Sequence, residues 1–279
     1  MSLCVFCVLL CLASGGVFFA DYALFTDPST GFAAMGSVWL RYAFLALLLF
    51  LIWFFSLSIR RRSRPERGYR SRVMTAAFGL QALSFFASGL LLSVSGVSAL
   101  LGGASLTDPV TGRLTFDIAG LVLSVLYLIA GLWCTACCGC FAKGLPQPVS
   151  GLALGIVATV SFFLLCVKRF VVSPTSIQRV MPTVDILTAM LAMLLCCALL
   201  RALYLPEDAR EGRKLYFWGL AAFLFCFCLT GAKLLYLLTF DTVSVADAAD
   251  LPVLTFGLLG GALAFRMVRV ARRVPPQLK

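Results

Sequence analysis

The chain has no histidine. That removes the commonest general base, the usual zinc and haem ligand, and the side chain that most readily relays protons near neutral pH. Charge is scarce as well. Asp, Glu, Lys and Arg make up 13% of residues, against about a quarter in a soluble domain. Four motifs are missing: a phosphate-cradling GxxxxGK[ST], an HExxH, a GxSxG nucleophile elbow, and a GxGxxG after a strand. No acidic pair falls deep inside an apolar segment in position to hold a catalytic metal. These absences argue against an enzyme and against a bound cofactor.

What remains is hydrocarbon. Of 279 residues, 61% are hydrophobic, and the mean hydropathy is +1.01. A membrane-spanning helix needs about 20 mostly apolar residues. Eight segments qualify, at about 3–23, 37–58, 73–101, 118–141, 149–168, 186–203, 215–239 and 251–269. The third is long enough to tilt, or to break near Gly96. No connection is long enough for a soluble domain. The expected fold is therefore an all-α integral membrane protein, one polytopic domain over 1–279. Its eight transmembrane helices form four antiparallel hairpins (about 1–60, 73–142, 149–203 and 215–270). Segment 3–20 lacks a basic start, and Phe18 stands where a cleaved leader carries a small residue. It is read as a span.

Basic residues set the orientation. Segment 59–72 carries seven arginines against Glu66. Cytoplasmic loops are enriched in Lys and Arg. Placing this loop inside gives the inner side 17 basic residues and four acids, and the outer side six basic residues and eight acids. Both termini are then cytoplasmic, and the plasma membrane is the expected location. The net charge of +11 is read as topology and not as a nucleic-acid surface. The lipid bilayer is the principal partner. The inner basic face, with loop 59–72 and the tail 266–279, suits anionic lipid. A membrane-protein partner is the further candidate.

The outer connections resemble one another. They read TDPSTG from Thr26, TDPVTG from Thr107, SPTS from Ser173 and FDTVS from Phe240. Asp-Pro and Gly are turn chemistry. Asp108 precedes Asp117 by nine residues, as Asp241 precedes Asp250, Ser176 precedes Asp185 and Asp27 precedes Gly36. The spacing predicts even-numbered helices starting just after that ninth residue. It fits an internal repeat of one hairpin, or simply an antiparallel bundle with similar loops.

Lys168 and Lys233 occupy matched places in this register. Each lies 17 residues before an acid, Asp185 and Asp250 respectively. Three readings fit. The acids cap helices while the lysines snorkel to water; each lysine pairs with its acid; or the four residues serve an ion or substrate pathway. Gln81 joins them as the most polar residue of the third helix, which also holds Ser84, Ser88, Ser93, Ser95 and Ser98. Gly89 and Gly96 there, the Gly151–Gly155 pair and the Gly257, Gly260, Gly261 set mark close helix contacts. Trp53, Trp133 and Trp218 are placed near the inner interface, Trp39 near the outer one, and Arg41 is read as an interface anchor.

Among the twelve cysteines, Cys134, Cys137, Cys138 and Cys140 form CxxCCxC. Soft thiolates at that spacing suit Cu(I) or Zn(II), but an apolar helix disfavours thiolates, so packing is the first reading. Function is thus left between small-molecule or ion transport of permease type, a non-catalytic partner or sensor subunit of a larger complex, and a cysteine-dependent redox or metal protein.

Overall fold

The computed structural model describes residues 2–27, 32–33, 35–57, 70–101, 117–172, 178–205, 211–240 and 245–273. Most of the four turn signatures, the arginines of 59–72 before Arg70, and the last residues of the basic tail lie outside them. The elements are α1 (Ser2–Phe25), α2 (Val38–Ser56), α3 (Arg72–Leu101), α4 (Ile118–Lys143), α5 (Gly151–Val172) and α6 (Val180–Tyr204). Next come α7 (Glu211–Ala222), a π-helical segment (Phe223–Leu229) and α8 (Thr230–Phe240). A short 3-10 turn (Val245–Ala249) and α9 (Asp250–Arg273) follow. Among the described residues, eight helical stretches are long and apolar enough to cross a membrane; α7, the π segment and α8 together form the seventh, and the 3-10 turn with α9 the eighth. This is a multi-pass, integral membrane protein. Among the described residues the only β pairing is two isolated bridges, Thr26 with Ala33 and Phe32 with Arg179. Helix is the expected outcome, because hydrocarbon offers backbone N–H and C=O groups no partner except one another.

Local chemistry sets several ends. Asp117 caps α4, accepting from the Gly120 N–H at 2.8 Å. Gly144 ends α4 in the left-handed region at φ 73°, where its N–H reaches the Cys140 carbonyl. Pro182 and Pro252 each fall in the first turn of a helix, where a missing N–H costs nothing.

Between helices in lipid, close van der Waals contact replaces the hydrophobic drive, and small residues supply it here. A Cβ on Gly219 would lie 2.6 Å from the Gly260 carbonyl oxygen, and one on Gly260 equally close to that of Gly219. Gly89 of α3 lets Leu128 and the Ser124 carbonyl of α4 approach to about 3 Å of where its Cβ would be. Gly257 of α9 lies against the Phe227 backbone. The seventh span is the hub. Its π segment is buried at six of seven positions and packs on α1, α6 and α9. α2 is the most peripheral span; it leans on α7, and Leu45, Leu48 and Ile52 are among its buried residues.

The structure corrects or refines the reading at four places. α6 begins at Val180, not near 186, so Asp185 sits inside a helix and caps nothing. Residues 178–185 look loop-like because they hold Gln178, Arg179 and Asp185, but the Asp185 charge is neutralised within the bundle. α3 runs unbroken past Gly96 to Leu101. The seventh span is continuous but carries the π segment, which nothing in FLFCFCL announces. Trp133 is fully buried, and its indole N–H donates to the Tyr204 hydroxyl at 3.3 Å. It belongs to the core and to no interfacial belt, whereas Trp39 and Trp53 are exposed.

Candidate functional site

The residues that could do chemistry converge where α5, α6, α8 and α9 meet. On α5, Ala158, Phe162 and Leu165 form a buried stripe with spacings of four and three residues. The next position on that stripe is Arg169, so the helix aims its guanidinium into the bundle. One Arg169 nitrogen binds Oδ1 of Asp250, at the start of α9. The other donates to the Asp185 carbonyl and, at 3.0 Å, to the Thr188 hydroxyl. From α8, the Lys233 ammonium donates to Asp185 Oδ2 at 2.7 Å and to Asp250 Oδ2 at 2.9 Å. Both oxygens of Asp250 are thus occupied, each by a different cation.

The cluster holds two positive and two negative charges. Its side chains are 5% (Asp250), 12% (Arg169), 13% (Lys233) and 19% (Asp185) exposed. Neutrality is what makes such burial tolerable. Each buried ion costs several kcal/mol to desolvate, at the order-of-magnitude level, and only a close, fully bonded counter-ion offsets that. The π segment touches the cluster indirectly, because Cys226 Sγ donates to the Thr188 carbonyl at 3.3 Å.

A polar seam runs from this cluster along α3 and α9. Gln81 is fully buried. Its amide nitrogen donates to the Pro252 carbonyl at 3.1 Å, and its amide oxygen accepts from Thr255 at 2.7 Å. The Ser84 and Thr255 hydroxyls lie 2.6 Å apart. Ser88 donates to the Ala248 carbonyl at 2.6 Å, and Tyr127 of α4 donates to the Ala249 carbonyl at 3.2 Å. The last two carbonyls belong to the 3-10 turn, whose bonding pattern differs from that of the α-helix it feeds. Side chains from α3 and α4 therefore anchor the start of the eighth span.

Of the residues singled out from sequence, the structure brings together Lys233, Asp185 and Asp250, with Gln81 nearby on the seam. It separates Lys168, which pairs with Asp117 of α4 and not with Asp185. Lys168 and Arg169 are adjacent, so they point about 100° apart on the helix; the register singled out Lys168, and the buried stripe would have identified Arg169. Arg41 also does more than anchor. Its NH2 binds Asp21 Oδ1 of α1 at 2.8 Å and the carbonyls of Phe25 and Met35 at 3.2 and 3.1 Å.

The cysteines of the CxxCCxC motif stand apart from this site. Cys134 and Cys137 are buried, and Cys138 donates to the Thr75 carbonyl at 3.3 Å. Cys140 is half-buried. Among the described residues no group of three or more His, Cys, Asp or Glu side chains is arranged to hold a metal ion.

No protein-family model, curated protein or solved structure matches this chain. The functional reading therefore rests on the geometry of the charged cluster.

Proposed function

We propose that this protein is a non-enzymatic transporter of small molecules or ions, permease-like, in which Lys233 is the exchangeable contact. The observation that carries the reading is the sharing of one ammonium by carboxylates of two different spans, at 2.7 and 2.9 Å. Ionisable side chains inside membrane helices mark ion or substrate pathways by default. A cation that binds Asp185, or a proton on it, competes with Lys233. Lys233 then keeps Asp250, which Arg169 also holds, so each ion retains a counter-ion contact while the cluster gains one positive charge. The π segment ends four residues before Lys233, and such segments recur at functional sites. Asp185 and Asp250 are the pathway residues in this reading. Lys168 lies beside it, and Gln81 steadies the start of α9.

The same reading places the eight spans as four antiparallel hairpins in the plasma membrane, with both termini cytoplasmic. The uneven split of arginine and lysine supports it. The inner basic face then contacts anionic lipid. An origin by hairpin duplication is supported by the turn signatures and weakened at the third copy, where α6 starts ahead of its register.

A second reading, a non-catalytic partner or sensor subunit, is favoured by one observation: the Gln81 amide is bonded at both ends and wholly buried, as in a static seam. Proteoliposomes on a solid-supported membrane decide between the two. Stepwise gradients of Na+, K+ and pH are expected to give a transient current that Lys233→Met and Asp185→Asn abolish. Absence of current under every gradient, with a second polypeptide co-purifying from mild detergent, contradicts transport and favours the partner reading.

A further inference from the structure

α1 rests on α8 and the π segment, whereas α2 rests on α7. Two consecutive helices are thus seated on different parts of the seventh span, and a gap opens between them. The Phe6 and Phe55 rings close it toward the start of α1, with centroids 6.3 Å apart, and it widens around the Asp21–Arg41 pair. The gap is a cavity of about 590 Å³, within the range of about 300–1,000 Å³ usual for small-ligand pockets. Phe18, Phe25, Leu40, Phe44 and Leu47 supply its apolar walls. Leu40 is 73% and Leu47 53% exposed, so the cavity opens on the lipid-facing flank of the bundle.

The ion pair in its wall is half used. Arginine and carboxylate normally meet fork to fork through two parallel bonds. Here a single nitrogen, NH2, serves Asp21 Oδ1 and two backbone carbonyls. Arg41 NH1 and Asp21 Oδ2 are buried and have no hydrogen-bond partner at all. The Arg41 side chain is only 10% exposed. One unfilled donor and one unfilled acceptor therefore belong to two residues that line an apolar cavity.

We infer that this cavity is a binding site for an uncharged, hydroxyl-bearing lipid of the glyceride type, entering sideways from the bilayer. A hydroxyl donates to Asp21 Oδ2 and accepts from Arg41 NH1, filling both vacancies at once. The ion pair is neutral, so its attraction and repulsion for a charged head largely cancel, and a charged head gains nothing to offset its own desolvation. A phosphocholine head has no N–H or O–H to offer Asp21. The acyl chain occupies the space between α1 and α2. This site shares no residue with the Lys233 cluster, and its failure would leave that reading in place.

The test uses the full chain in nanodiscs of dioleoylphosphatidylcholine, with monoolein carrying a diazirine in its acyl chain. After illumination, labelled peptides are expected from α1 and α2. Excess plain monoolein should suppress the label, and methyl oleate, which lacks a hydroxyl, should not. The Asp21→Asn/Arg41→Gln double variant should weaken monoolein competition about tenfold, the effect of one or two lost hydrogen bonds. Ala43→Phe narrows the cavity from α2 without touching the ion pair and should abolish the α1–α2 label; it carries the test if the double variant misfolds. Equal competition by methyl oleate, or label spread evenly over all spans, overturns the proposal.

Discussion

Removing the Lys233 charge is the sharpest perturbation of the bundle. In Lys233→Met the side chain keeps much of its length, but the cluster changes from neutral to a net negative charge. Arg169 stays on Asp250, and Asp185 loses the cation that binds its carboxylate. Breaking a buried pair from one side costs about 3–5 kcal/mol, because an uncompensated ion remains. Lys168→Met is the matched control. Its partner Asp117 is 58% exposed and keeps its cap bond to Gly120, so the expected cost is below about 1 kcal/mol. The Lys233→Met/Asp185→Asn double variant restores a one-to-one Arg169–Asp250 pair. It should return to within about 1–2 kcal/mol of the parent, since apolar or neutral replacements of whole buried pairs are well tolerated. Reversible unfolding in mixed micelles, titrated with SDS, reads these three variants and the Asp185→Asn single, and the Lys233–Asp185 cycle gives a coupling energy of at least about 2 kcal/mol. Equal losses for Lys233→Met and Lys168→Met, or a double variant weaker than Lys233→Met alone, would refute the charge-balance argument.

Other outcomes follow from packing and from the seam. Gly219→Ala should destabilise by about 1–3 kcal/mol in the same titration, because its Cβ would meet the Gly260 backbone oxygen at 2.6 Å. Gly16→Ala, with nothing within 4 Å, should stay within about 0.5 kcal/mol of the parent. Gln81→Leu removes two bonds to α9 and should cost about 1 kcal/mol, the scale of interhelical hydrogen bonds in membranes. Ser98→Ala, exposed and bonded only to the Ser95 carbonyl of its own helix, should change nothing measurable; hydrogen–deuterium exchange of the α9 amides separates the two.

The spans were legible in the sequence because the bilayer imposes a length and an apolar composition that few other environments demand. Close-contact glycines were legible for a similar reason: Gly151, Gly155, Gly257 and Gly260 all stand where a Cβ would press on a neighbouring helix. The π segment was not, since an apolar run of Phe, Leu and Cys suits either helix type and its wider turn is fitted to Gly257 across the interface. The start of α6 was misjudged because a carboxylate at 185 looks like a boundary until its counter-ions on other helices are known. For the cluster, sequence register found Lys233, Asp185 and Asp250 but chose the wrong basic residue on α5. Pairing between helices depends on which face each residue occupies, and the 158, 162, 165, 169 spacing carries that information. The Asp21–Arg41 pair was hidden because it joins two helices through a tertiary contact that no spacing encodes.

The most direct test of the account is trypsin access to segment 59–72, which carries seven arginines. If hydrocarbon surrounds the eight spans and arginine faces the cytosol, trypsin added to intact expressing cells leaves the chain whole. The same enzyme added to inverted membrane vesicles cuts it within 60–72. Cleavage there on intact cells, or release of the uncut chain into a lipid-free aqueous extract, contradicts the account.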